Sequence, residues 1–252
     1  MHIMMQESFL LPPGFGFNGY TVSAGRNYLR RMLFPLEKKT LCSLEYDMPD
    51  REIRADIIEK DNAELMAIGP SEIQDDCWHI PGSMPVLLTA PHAAGPRSDD
   101  GVSDLVFRAQ TGTGAHAVLA TISRKILDLN NISLAAEPFF EKIQDLIDHG
   151  VKLLVDVHSM NGKAGHDIEI GSLCGDTLSL RKRDIMKEMF EKSGFKVAVD
   201  LKWIGGAVVG IFSKDIETVQ IEISRQIIRN DEVVNILCAI VNALEKQTRI
   251  QN

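Results

Sequence analysis

The sequence predicts an α/β/α sandwich on a largely parallel sheet. Two observations carry that expectation. From about residue 84 onward, short apolar runs alternate with helix-period segments. Several of these runs also stop abruptly at polar residues, and open α/β sheets collect their chemistry at such strand ends.

Residues 85–90 (PVLLTA) form a continuous apolar strand that stops at Pro91-His92-Ala93-Ala94-Gly95-Pro96. Pro and Gly on both sides of His92 mark a sharp turn, so His92 sits at a strand end. The loop 97–104 carries Asp99, Asp100 and Asp104. Asp100 and Asp104, four apart, either cap a helix or face one cleft. Residues 111–114 (TGTG) break that helix. A strand over 115–122 follows, then a helix over 134–149 that Gly150 stops.

Residues 152–159 contain LLVDVHS, a buried strand running into a polar tip. Residues 167–170 form a short strand closed by Gly171, and 177–193 an amphipathic helix stopped by Gly194. A strand over 195–201, a flexible turn at Gly205-Gly206 and a strand over 218–223 come next. Asp231 caps the last helix. Residues 1–80 carry no chemical motif. There, 27–36 reads as a basic helix, 51–60 as strand or helix, and 64–68 as a short apolar piece. The chain is expected to be one domain, 1–252. Residues 1–80 are an N-terminal extension, edge strands included, packed on an α/β core at 84–252.

A net charge of −8 argues against a general nucleic-acid or anionic-membrane partner, because phosphate binding needs a basic surface. A small-molecule partner is expected instead. No run approaches the roughly 20 apolar residues that span a bilayer. Cys42, Cys77, Cys174 and Cys238 show no metal-knuckle or disulfide spacing, which suits a reducing cytoplasm. Oligomeric state leaves no signature.

Three strand ends therefore carry His92, His158 and Glu222. A carboxylate inside a strand, as at Glu222, is costly unless it is paired or at a site. Two imidazoles and one carboxylate make a common catalytic zinc shell with an open position for water. A further carboxylate beside that water can act as general base. Asp156, two residues before His158, is expected on the other face unless the strand has ended there, supporting the fold or the ligand shell. His166 is a weaker candidate. Hydrogen-bonded core polar groups and a non-catalytic pocket remain open readings of the same residues.

The motifs resemble the N-formylglutamate amidohydrolases between about residues 84 and 226. PHAAG (91–95), DGVSDLVF (100–107), SRKILDLNN (123–131), DVHS (156–159), DIEIG (167–171), Gly205-Gly206 and VQIEIS (219–224) occur in the family's order. The resemblance implies a zinc-exopeptidase-like (phosphorylase/hydrolase-like) three-layer sandwich with a mixed sheet. It implies zinc-dependent hydrolysis of the amide C–N bond in an N-acyl, N-formyl-like amino acid or related small carboxylate.

The implied metal ligands are His92, Asp100 and His158, with Asp104 and Asp156 in support. Glu222 is the implied general base, taking a proton from water and shuttling it to the leaving nitrogen. Arg124 would face the substrate carboxylate, since a guanidinium fork suits that group. Asn130 and Ser159 would also contact substrate. Asn131 and Ala207 depart from the family pattern. They favour an alternative, a non-enzymatic small-anion or amino-acid binding or regulatory protein on the same scaffold.

Overall fold

Apolar strand runs and amphipathic helices assemble as one mixed sheet covered on both faces. This computed structural model describes residues 72–74, 77–95, 98–125, 127–130, 138–162 and 165–250. All fall within one unit, Cys42–Asn252. The elements expected at 27–36, 51–60 and 64–68 lie outside the described residues, as does Asn131.

The strands are β1 (Glu72–Gln74), β2 (Cys77–Ile80), β3 (Val86–Ala90), β4 (His116–Ala120), β5 (Leu153–Met160), β6 (Ile168–Gly171), β7 (Val197–Val199) and β8 (Glu217–Ser224). The helices are α1 (Val102–Thr113), α2 (Pro138–Asp148), α3 (Leu180–Lys192), α4 (Ala207–Phe212) and α5 (Asp231–Ile250). The sheet order is β1-β2-β4-β3-β5-β8-β6-β7. The central strands β4, β3, β5 and β8 are parallel. β2 runs antiparallel to β4, and β6 runs antiparallel to β8 but parallel to β7. The sheet thus begins ahead of residue 84.

Alternation along the strands decides the layers. Val86, Leu88, Val155, Val157, Ile168, Ile170, Ile221 and Ile223 share one buried cluster with residues of α1, α3 and α5. The opposite face carries buried Leu87, Val118 and Leu154. There Phe140 of α2 stacks on Phe212 of α4 with centroids 6.2 Å apart. The chain passes from β3 to β4 on one side, then returns across β3 to β5 on the other. Connections that leave neighbouring strands in opposite directions open a crevice at their carboxyl ends.

Three local expectations are corrected. α1 runs through Thr111 and Gly112 and ends at Gly114, whose φ of 75° is left-handed. The hydroxyls of Thr111 and Thr113 donate to Phe107 O and Ala109 O, at 2.9 and 2.7 Å. Gly112 is a packing glycine: a Cβ there would meet Cys238 Sγ of α5 at 2.9 Å. α5 is capped by Asn230, whose Oδ1 accepts from Glu232 N at 2.9 Å, while Asp231 pairs with Arg108. Residues 207–212 form α4, too short for a helical period to show in the sequence.

At the other end of β8 from the crevice, Lys182 of α3 is buried and donates to Glu217 and to Thr248 Oγ1 of α5. Burial pushes the Glu217 carboxyl up, but the Lys182 hydrogen bond and charge outweigh it and leave the group below its ordinary 4.5. A lowered folded-state value contributes stability at neutral pH that is lost as pH falls through it. Lys182→Ala should cost about 1–3 kcal/mol, the range for leaving a hydrogen-bond partner unsatisfied, since Glu217 is 29% exposed and stays partly solvated. Glu217→Gln should be destabilised at pH 7 in chemical unfolding. Its deficit against the parent protein should shrink below about pH 4.5, where the unfolded carboxyl protonates.

Candidate metal centre

The loop after β3 must bring a carboxylate back over the strand ends. Gly95 makes this possible, with φ 79° and no room for a Cβ, which would sit 2.4 Å from Ser123 Cβ. Ser98 N donates to Gly95 O and Asp99 N to His92 O, at 2.8 and 2.9 Å. Asp99 is thereby folded inward, 5% exposed. Its Oδ2 lies 2.8 Å from His158 Nδ1 and 3.3 Å from His92 Nδ1. His92, Asp99 and His158 each offer a ligand atom, all within 4.8 Å of one another.

Each imidazole is oriented from behind. His92 Nε2 lies 2.8 Å from Asp128 Oδ1, and His158 Nε2 lies 3.0 Å from Asp156 Oδ2. Asp156 in turn accepts from Thr89 Oγ1 at 2.7 Å. A carboxylate on one ring nitrogen fixes the ring's tautomer and aims the other nitrogen at a metal. Both Nδ1 atoms face Asp99.

Sheet register supplies the remaining groups. Asp156 lies opposite Thr89 and Gln220, and His158 lies opposite Glu222. Glu222 lies opposite Glu169 on β6. Gln220 Nε2 donates to Glu222 Oε1 at 2.7 Å. Burial pushes the Glu222 carboxyl up, against the lowering charge of His158. Burial works against a charged His158, yet Asp156 and Asp99 outweigh it and raise its pKa well above 6.5. Asp99 and Asp128 are also resisted by burial. The hydrogen bonds from the imidazoles prevail, holding Asp128 at about 2 and Asp99 below the ordinary carboxylate range.

The donor set fits a divalent cation. Asp99, Asp128 and Asp156 carry three negative charges, and Arg124 returns one positive charge. With an ion in place of the proton on His158, both imidazoles would be neutral, and the three carboxylates with Arg124 would leave two negative charges for a divalent cation to balance. Borderline imidazole nitrogens with one carboxylate oxygen suit zinc.

Several expected residues stand elsewhere. Asp100, one residue from Asp99, is 58% exposed and pairs with Arg229 at 2.8 Å. Asp104 is 61% exposed and faces Arg108 at 3.6 Å. Neither joins the cluster, because the tight turn leaves Asp99 as the inward residue. Asp156 is on the same face as His158, since a two-residue step along a strand returns to that face. Ser159 falls on the opposite face from His158 and accepts from Arg225 Nε at 3.3 Å. Arg124 stands at the cluster's edge, its fork engaged by Asp128 at 3.3 Å and Asp99 at 3.8 Å.

Asn130 Oδ1 accepts from Ala207 N at 2.6 Å, capping α4. A Cβ on Gly206 would lie 2.2 Å from that oxygen, so the second glycine is required by this approach. The side chain at 207 takes no part in the bond. Asp99 and Asp128 went unassigned in the sequence. Asp128 stood inside the SRKILDLNN motif, whose Asp carried a signal that Arg124 and Asn130 overshadowed.

The model of the N-formylglutamate amidohydrolase family matches residues 136–229. The resemblance is thus shown for a segment that includes His158, Glu169 and Glu222. The structure of N-formylglutamate amidohydrolase from Ralstonia eutropha JMP134 superposes with a TM-score of 0.59 at 14% identity, over 71% of this chain and 100% of that one. A bacteriophage poly-gamma-glutamate hydrolase gives 0.54 at 15% identity, over 76% and 100%. A gene product from Agrobacterium tumefaciens gives 0.52 at 16% identity, over 72% and 93%. At these identities the likeness is one of fold. No curated protein matches the chain. No helix among the described residues is long and apolar enough to cross a membrane.

About one equivalent of zinc per chain is expected on reconstitution, read by elemental analysis. His158→Ala and Asp99→Asn should each abolish it, whereas Asp100→Asn should retain it. Zinc affinity should weaken as pH falls, because His158 Nδ1 must release a proton to bind. Equal loss in all three variants would contradict the geometry.

Proposed function

We propose that the protein is a zinc-dependent amidohydrolase that cleaves the amide C–N bond of an N-acyl amino acid or a related small carboxylate. The carrying observation is the buried His92–Asp99–His158 cluster with Glu222 in register beside His158. The family match over residues 136–229 supports the amidohydrolase class.

His92, Asp99 and His158 would hold the ion. A bound zinc ion polarises an acyl carbonyl and lowers the pKa of water toward about 7. Asp128 and Asp156 hold the imidazoles in orientation. Glu222 takes a proton from the attacking water. Gln220 pins one of its oxygens, leaving the other for that task. Burial that raises its pKa brings its basicity closer to neutral pH, where a general base is most effective. Arg124 is one-third exposed and has N–H donors beyond those spent on Asp128 and Asp99, available to a substrate carboxylate.

The test is turnover of a panel of N-formyl and N-acetyl amino acids by the zinc-loaded protein. Glu222→Gln should lower kcat by about 10²- to 10⁴-fold while zinc stoichiometry is unchanged. An undiminished kcat in that variant would remove Glu222 from the reaction. A zinc-loaded protein that binds these compounds without turnover would favour the binding-protein reading.

A further inference from the structure

Amide cleavage also requires a proton for the departing nitrogen. One oxygen of Glu222 is held by Gln220, so a single oxygen would have to serve both the water and the leaving group. A second titratable pair stands on the same face of the sheet. Glu169 of β6 lies directly opposite Glu222, which lies opposite His158. Side chains directly opposite on neighbouring strands are side by side. His158, Glu222 and Glu169 therefore form one row.

Glu169 is completely buried. Its Oε1 accepts the backbone N–H groups of Leu201, Lys202 and Trp203. Its Oε2 lies 2.9 Å from Nε2 of His166. Oε1 is filled by three backbone N–H donors, so Oε2 is the acceptor left for the Nε2–H of His166; that contact holds the imidazole by Nε2 and leaves Nδ1 as the nitrogen that exchanges a proton. Among the described residues Nδ1 has no hydrogen-bond partner.

His166 precedes β6, which runs antiparallel to β8. It therefore stands at the carboxyl ends of β5 and β8, with the metal cluster and Glu222. Asp128 and Asp156 hold the Nε2 atoms of His92 and His158 in the same manner. His166 differs in lying outside the cluster of ligand atoms.

We propose that His166, oriented by Glu169, is the general acid that protonates the leaving nitrogen. The inference rests on the amidohydrolase reading. Water forms the new C–O bond while Glu222 accepts its proton. The C–N bond then breaks with its electron pair passing to nitrogen, and the Nδ1–H of His166 transfers to that nitrogen. Glu222 returns its proton to the imidazole, so one water is consumed and both groups are restored.

The experiment compares an amide with an ester whose leaving group needs no proton. N-formyl-L-glutamate and p-nitrophenyl formate are assayed with the zinc-loaded parent protein, His166→Gln and Glu169→Gln. Zinc content and thermal midpoint are measured for each. His166→Gln should lower kcat for the amide by about 100-fold or more, with KM little changed. It should leave the ester within about threefold, and Glu169→Gln should show the same selectivity in weaker form. Equal loss on both substrates, or an undiminished amide rate in His166→Gln, overturns the assignment. A parent protein that hydrolyses the ester but no N-acyl amino acid overturns the amidohydrolase reading itself, and the role of His166 falls with it.

Discussion

One carboxylate oxygen, Asp99 Oδ2, stands between two imidazoles that come from the ends of two adjacent strands. Everything else at the site serves that arrangement. The left-handed turn at Gly95 folds Asp99 inward, and the Asp99 N–H to His92 O bond closes the loop on itself. Asp128 and Asp156 then hold the far side of each ring. Burying so many ionisable groups is unfavourable unless each has a partner. Here the partners are one another, with a divalent charge as the natural complement.

The sheet acts as the ruler for the site. Thr89, Asp156 and Gln220 make one polar row across β3, β5 and β8, and His158, Glu222 and Glu169 make the next across β5, β8 and β6. Both rows lie on the α2 and α4 face, opposite the large apolar cluster beneath α1, α3 and α5. A one-residue slip in any of these strands would turn its polar residues into that apolar cluster. Packing of the apolar face therefore enforces the spacing of the chemical face. Asn130 and Glu169 extend the same rigidity outward by fastening residues 201–207.

Strand ends were legible because apolar runs stop sharply at Pro91 and at Asp156–Ser159, and because Glu222 interrupts an otherwise apolar strand. That places His92, His158 and Glu222 as polar residues at or near strand ends. The inward acid did not follow. Asp99 and Asp100 are neighbours of equal chemistry, and only the turn at Gly95 sets Asp99 inward and leaves Asp100 with Arg229. The two-residue period of β5 sets Asp156 on the face of His158 and sends Ser159 to the other. β2 lies inside the sheet between β1 and β4, although its short CWHI run mixes polar and apolar residues.

By itself the sequence determined the layer architecture, the strand tips that carry chemistry, and the pairing of two histidines with an acidic loop. Those depend on local periodicity and on the cost of burying polar side chains, both readable from residue order. The tertiary structure alone decided which aspartate meets both histidines and that Asp128 stands behind His92. It also decided that Glu169, which holds His166, shares a row with Glu222. The contacts of Asp99 with His158, Asp128 with His92 and Glu169 with Glu222 join residues tens of positions apart, and their geometry comes from strand order, register and a single left-handed turn.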